Sequence, residues 1–183
     1  MFARTERLLL RPGWREDAPA LFAAIADEGI VRNLAQAPWP YTLADAETFL
    51  TRERRLHEAT CLIFLRTDGA PALAGAVGFG RTPEGELEFG YWVARPFWGQ
   101  GIATEAGAAA IANARESLRL PRLVAGHFTD NPASGRVLEK LGFRATGRTG
   151  GRYSRGRDAI SPCRELTLDL VEAEPQAPCA MAA

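Results

Sequence analysis

Alternation of apolar and polar positions marks several strands along this chain. Arg7–Arg11 reads as a first strand, and Cys61–Arg66 with Leu73–Gly80 as a pair joined across the Asp68-Gly69 turn. Leu87, Phe89, Tyr91 and Val93 alternate with Glu88, Gly90 and Trp92 in what reads as a central strand. Leu123–Phe128, Ala145–Tyr153 and Ile160–Val171 complete the extended set. Helix signals fall between these runs. Asp17 stands where it can cap a helix through Ala26, and Thr42 with Asp45 forms a capping-box signature for a helix to about His57. Thr104–Leu118 is an alanine-rich helix, while Asn131 and Pro132 open one through Lys140 that Gly142 can terminate. The order β α α β β β α β α β β, with hairpins flanking one strand–helix–strand unit, implies an α/β domain on a mixed, mostly antiparallel sheet.

Composition narrows the partners. A chain of 183 residues can bury one substantial core, and neither a repeat nor a linker divides it. Residues 1–171 are expected to form this single domain, with 172–183 (EAEPQAPCAMAA) as a disordered tail. The 22 basic and 22 acidic side chains cancel, so no overall field recruits nucleic acid or an anionic membrane. No apolar run is long enough to cross a bilayer, and MFARTERLLLRPG is too soon interrupted for a secretory signal, so a cytoplasmic location is expected. Cys61, Cys163 and Cys179 are widely spaced without a CxxC, and His57 and His127 are isolated. Neither a disulfide framework nor a metal site is expected.

The chemistry concentrates where the central strand meets the alanine-rich helix. Gly99-Gln100-Gly101-Ile102-Ala103 lets the main chain fold closely around a guest, and the helix start offers unpaired N–H groups to an anion, with phosphate the natural ligand. A Walker loop is excluded because no Gly-Lys-Ser or Gly-Lys-Thr occurs. A dinucleotide fingerprint fails at Thr104, where a third glycine or alanine belongs, and at Leu120-Pro121-Arg122, where the ribose acid should lie. A glycine-rich connection without a ligand is the plain alternative.

The phrase GYWVARPFWGQGIATEA resembles the pyrophosphate turn of the GNAT superfamily of N-acetyltransferases. The family pattern Gln/Arg-x-x-Gly-x-Gly/Ala is met at Gly101 and Ala103, whereas Trp98 stands in its first position. An aromatic there is similar to the RimJ/RimL-like branch, the ribosomal-protein alanine N-acetyltransferases. The resemblance resumes at TDNPASGRVLEKLGFRATGR, matching Asn131, Ser134 and Gly142-Phe143, and covers approximately Arg4 to Leu170. It implies the GNAT acyl-CoA N-acyltransferase fold, a twisted sheet of about seven strands flanked by about four helices. It further implies acetyl-CoA as co-substrate, no metal, and transfer to a primary amine, foremost a protein or peptide N-terminal α-amine, by direct attack in a ternary complex. A small-molecule amine (aminoglycoside, amino acid or polyamine) and a non-catalytic acyl-CoA-binding module are the alternatives. The chain is expected as a monomer or homodimer.

The same resemblance assigns roles. The amides of Trp98, Gly99, Gln100, Gly101, Ile102, Ala103 and Thr104 anchor the diphosphate, the main chain of Trp92 and Val93 pairs with the pantetheine, and Asn131 and Ser134 flank it. An N–H near Val93 is the expected oxyanion donor. Glu88 is the expected base, acting directly or through water, because a partly buried carboxylate has its pKa raised toward a useful range. The competing account makes Glu86 and Glu88 solvent-facing strand residues. Many members use a tyrosine on the helix after the Asn131 position, but Pro132–Lys140 has none. Ser134 is the only hydroxyl there and, being a poor acid, is expected to steady the leaving thiolate. The acceptor side is expected between Asn33–Tyr41 and the last hairpin. There Arg148, Arg152, Arg155 and Arg157 cluster about Gly150-Gly151, either to meet an anionic group or simply as a solvated turn.

Overall fold

A computed structural model describes residues 1–171. The strands are β1 (Ala3–Arg4), β2 (Leu8–Pro12), β3 (Thr60–Leu65), β4 (Ala72–Arg81), β5 (Leu87–Val93), β6 (Arg122–Phe128), β7 (Arg144–Ser154) and β8 (Ala159–Asp169). The α-helices are α1 (Ala18–Ile25), α2 (Glu28–Val31), α3 (Leu43–Thr51), α4 (Ile102–Glu116) and α5 (Pro132–Lys140). All strands join one 8-stranded sheet in the order β1-β2-β3-β4-β5-β6-β8-β7. Every neighbouring pair is antiparallel except β5–β6.

The mixed α/β sheet is the expected class, with differences at its edges. β1 and α2, of 2 and 4 residues, are too short to leave a periodic trace, so strands and helices both exceed the expected number. Helix α3 stops at Thr51, well short of His57, because Arg52 turns extended with ψ 138° and the arginine-rich run after it offers no apolar stripe. Helix α4 begins at Ile102 rather than Thr104: Gly101 takes a left-handed conformation at the N-cap and Ile102 is already buried. Gly150 and Gly151 lie inside β7, and the hairpin turns instead at Arg155–Asp158. The expected tail, 172–183, lies outside the described residues.

Two apolar layers sandwich the sheet. On one face Phe79, Phe89, Leu123 and Phe143 pack with Ile102, Ala106 and Ala110 of α4 and Leu138 of α5. The alanines of α4 let it settle close to the strands, and Gly107 touches so tightly that a Cβ there would meet Leu141 and Phe89. On the other face α1, α2 and α3 cover Leu62, Phe64, Ala76 and Trp92. Successive residues of β5 therefore point to opposite layers, Phe89, Tyr91 and Val93 toward α4 and α5, Trp92 toward α1–α3. Strands β5 and β6 pair only at Glu88–Val124 and then diverge, which opens the middle of the sheet.

One expected cap works differently. Asp17 occupies the N-cap position of α1 without capping it. Its carboxylate instead takes bonds from Arg11 Nη1 and Nη2 at 2.8 and 2.7 Å and from the Trp14 N–H at 2.8 Å. Arg11 in turn lies between Trp14 and Phe64, 4.1 and 4.3 Å from their ring centres. The Arg11 hydrogen bond holds the Asp17 pKa below its usual 3.8 against the opposing effect of burial, with the Trp14 amide adding to it. A folded pKa below the unfolded one gives stability that is complete above about pH 4 and disappears as pH falls through the lowered value. Asp17→Asn is expected to cost about 1–3 kcal/mol at neutral pH. The difference from wild type should vanish in acid, which urea unfolding at several pH values would measure.

Candidate active site

The turn entering α4 carries free donors. The main-chain N–H groups of Gly99, Gln100, Gly101, Ile102, Ala103 and Thr104 have no acceptor among the described residues. Trp98 differs from expectation, since its N–H is already given to the Arg95 carbonyl at 3.2 Å and its indole N–H to the Val93 carbonyl at 2.6 Å. Gly99 and Gly101 hold φ of 74° and 77°, where glycine alone is unstrained. Alternating conformations of this kind curl successive amides toward one point, and the α4 dipole adds its positive end. Arg7 fixes the loop from outside: Nη1 donates to the Gln100 carbonyl at 3.0 Å while Nη2 pairs with Glu105 at 2.7 Å.

A cavity of about 390 Å³ runs from this loop along β5 to α5. Of the expected coenzyme-binding residues, Trp92, Val93, Trp98, Gly99, Gly101, Ile102, Ala103, Thr104, Asn131 and Ser134 line it. Gln100 does not, because its side chain turns back to the Pro96 carbonyl at 2.9 Å. The β4–β5 ladder decides which main-chain groups are available. Ala94 donates to Ala74 at 2.8 Å, and antiparallel pairing alternates, so Trp92, Gly90 and Glu88 face β4 while Tyr91 and Val93 face the opening. The main-chain groups of Trp92 are therefore turned toward β4, and the Val93 N–H points where the strands part.

A second cavity, about 410 Å³, lies on the other side of the opening. Its walls include Glu88, Gly90, Tyr41, Arg152, Arg155 and the Asn33–Pro38 loop. That loop is stitched to the β7–β8 hairpin by Ser154 Oγ donating to Leu34 at 2.9 Å and by the Arg155 N–H donating to Ala35 at 3.0 Å. A Cβ at Gly90 would meet nothing within 4 Å, so the missing side chain leaves the cavity floor open beside Glu88. Both cavities share Tyr91, Trp92, Asn131, Ser134, Asn33 and Leu34, and they meet at the gap between β5 and β6.

Glu88 lines only the second cavity, where Arg152 Nη1 donates to its Oε1. Its side chain is 23% exposed, so it is neither a fully solvated strand carboxylate nor a sealed one. Burial by itself would lower the Arg152 pKa, but the charge of Glu88 and the bond to it carry it above the ordinary arginine value. The other hairpin arginines disperse. Arg148 pairs with Glu165, and Arg157 clamps Asp130 through two bonds of 2.8 and 2.9 Å, leaving Arg155 facing the cavity.

Asn131 caps α5 through Oδ1, accepting from the Ser134 N–H at 3.3 Å. Its Nδ2 has no acceptor among the described residues, so capping leaves a donor free. Ser134 Oγ shares a 3.0 Å hydrogen bond with the Tyr91 hydroxyl. Burial raises the Tyr91 pKa, opposed in part by that bond. Sequence reasoning missed this tyrosine as a site residue and read it as one more inward strand position. The available signal was its being the only hydroxyl on β5, since a buried phenol seeks a polar partner.

Known proteins resemble this chain in sequence and in fold. The N-acetyltransferase YoaA of Bacillus subtilis (strain 168), itself named as uncharacterized, is 28% identical over 150 residues, 78% of this chain and 82% of its own. A GNAT-family acetyltransferase from Bacillus anthracis superposes with a TM-score of 0.76 at 22% identity, over 93% of this chain and 99% of the other. RimL, the ribosomal L7/L12 α-N-protein acetyltransferase solved with coenzyme A, gives 0.74 at 20% identity, over 92% and 98%. These two likenesses speak for the fold. The sequence model of the acetyltransferase (GNAT) domain matches residues 7–144, a span that holds the donor loop, the open strand pair and the capped α5, and the chain belongs to the GNAT acetyltransferase family.

Proposed function

We propose that the protein transfers the acetyl group of acetyl-CoA to a primary amine, foremost the α-amine of a protein or peptide N-terminus, by direct attack in a ternary complex. The observation carrying this reading is the run of unspent amides from Gly99 to Thr104 at the head of a cavity that ends at Ser134. Those donors suit a diphosphate, and the cavity beyond suits an extended arm reaching the sheet opening. The amine enters from the opposite cavity. There Glu88 accepts its proton, directly or through water, and the Val93 N–H steadies charge on the carbonyl oxygen.

Charge supports an acceptor that is not a polycation, since Arg52, Arg152 and Arg155 border the second cavity against Asp45 and Glu88. A small amine is the second reading, favoured by the stitches from Leu34 and Ala35 to the hairpin, which tie two walls of this cavity together. Calorimetric titration with coenzyme A is expected to give a saturable heat with a Kd in the micromolar range. Thiol release from acetyl-CoA across peptides and small amines would then separate the two acceptors. Absence of heat would overturn the whole reading.

A further inference from the structure

We propose that Tyr91 supplies the proton that the departing coenzyme thiolate receives, passed through Ser134 Oγ. The inference rests on the acetyl-transfer reading above and deepens it. Helix α5 offers no tyrosine, yet a phenol reaches its first turn from strand β5, 3.0 Å from Ser134 Oγ. Both residues line both cavities, at the gap where the two substrates must meet. Glu88 and Tyr91 lie on opposite faces of β5, so the groups that take and give protons approach from opposite layers of the sheet.

Chemistry favours a pair over Ser134 alone. An alcohol barely gives up its proton, whereas a free phenol ionises near 10, far closer to a thiol near 8.5, and burial moves Tyr91 up from there without bringing it to an alcohol's reluctance. Burial keeps Tyr91 protonated through the neutral range, so the donor is always loaded. As nitrogen bonds to the acetyl carbon, the C–S bond breaks and its electron pair stays on sulfur. Ser134 gives its hydroxyl proton to sulfur and recovers one from Tyr91, and water reprotonates the phenolate. The proton lost by the amine leaves through Glu88 to water, so one amide and one thiol form without any oxidant or reductant.

The test uses Tyr91→Phe in the full chain, with acetyl-CoA and whichever amine turns over fastest in the panel. The ring keeps its place 5.9 Å from Phe89, and only the hydroxyl is lost. The expected result is a fall in kcat of about 100-fold with the coenzyme A Kd unchanged. Ser134→Ala should fall by a similar factor, and the double variant by little more, because the two hydroxyls act as one unit. An acetyl thioester of a pantetheine analogue with a more acidic thiol needs less proton donation, so the Tyr91→Phe deficit should shrink with it. A variant that keeps wild-type kcat, or a deficit indifferent to thiol acidity, overturns the proposal while leaving acetyl transfer intact. Wild-type protein that releases no thiol with any amine overturns both.

Discussion

Glu88→Gln is expected to lower kcat about 10²- to 10⁴-fold near neutral pH while the Kd for coenzyme A changes less than about twofold. The separation follows from position. Glu88 faces the second cavity and not the one below the donor loop, so the amide sits where the amine must enter and away from the diphosphate. Glutamine keeps the length and an oxygen for Arg152, but it cannot take up a proton. The substitution has one structural cost to separate from the chemistry. Arg152, 32% exposed at its side chain, stays a cation when its partner is neutralised. Solvent screening at that exposure keeps the penalty to about 1 kcal/mol or less. Arg152→Gln is the companion variant, since it breaks the same pair and leaves the carboxylate. If Glu88 only holds Arg152, both variants lower Tm alike and kcat follows neither; if it is the base, only Glu88→Gln loses turnover. Wild-type kcat in folded Glu88→Gln would remove the residue from that role.

The difference between what could and could not be read from the sequence has a physical basis. Features set by neighbours in the chain were legible. Thr42 and Asp45 make their reciprocal capping bonds, Asn131 caps α5, alternation marked β5, and the Asp68-Gly69 turn marked the pairing of β3 with β4. The donor loop was legible because glycines at Gly99 and Gly101 allow a backbone that other residues resist. Features set by distant contacts were not. Glu88 and Arg152 meet only because the Arg152 side chain reaches from β7 across β8 and past Gly126 of β6, and no local pattern announces that strand order. Tyr91 reaches Ser134 because β5 and β6 separate just before it, a departure from regular pairing that periodicity cannot express. Asp17 carried a capping signal and was claimed instead by Arg11, six residues earlier on β2, a competition that capping preference alone does not express. Chain entropy also explains the end of α3, since a polar run beyond Thr51 had no buried partner to offset the ordering of further residues.

Gly101→Val is expected to weaken coenzyme A binding about 100-fold or more, equivalent to about 2.7 kcal/mol. Two effects combine at this position. A β-branched side chain at φ 77° is strained by about 1–2 kcal/mol, and relaxing φ would rotate the amides that follow it out of their common focus. The second effect is steric and falls on the ligand alone. An added Cβ at Gly101 would meet only Arg7 Nη2 at 3.5 Å, and one at Gly99 nothing within 4 Å, so the protein itself leaves this space clear. Gly101→Asn separates the two, because asparagine accepts a left-handed backbone while still placing atoms in the clear space. If backbone conformation dominates, the asparagine variant binds within a few-fold of wild type. If approach of the diphosphate dominates, both variants fail alike while their Tm values differ. Undiminished affinity in both would mean that the amides after Gly101 do not hold the diphosphate, whatever their orientation in the free protein.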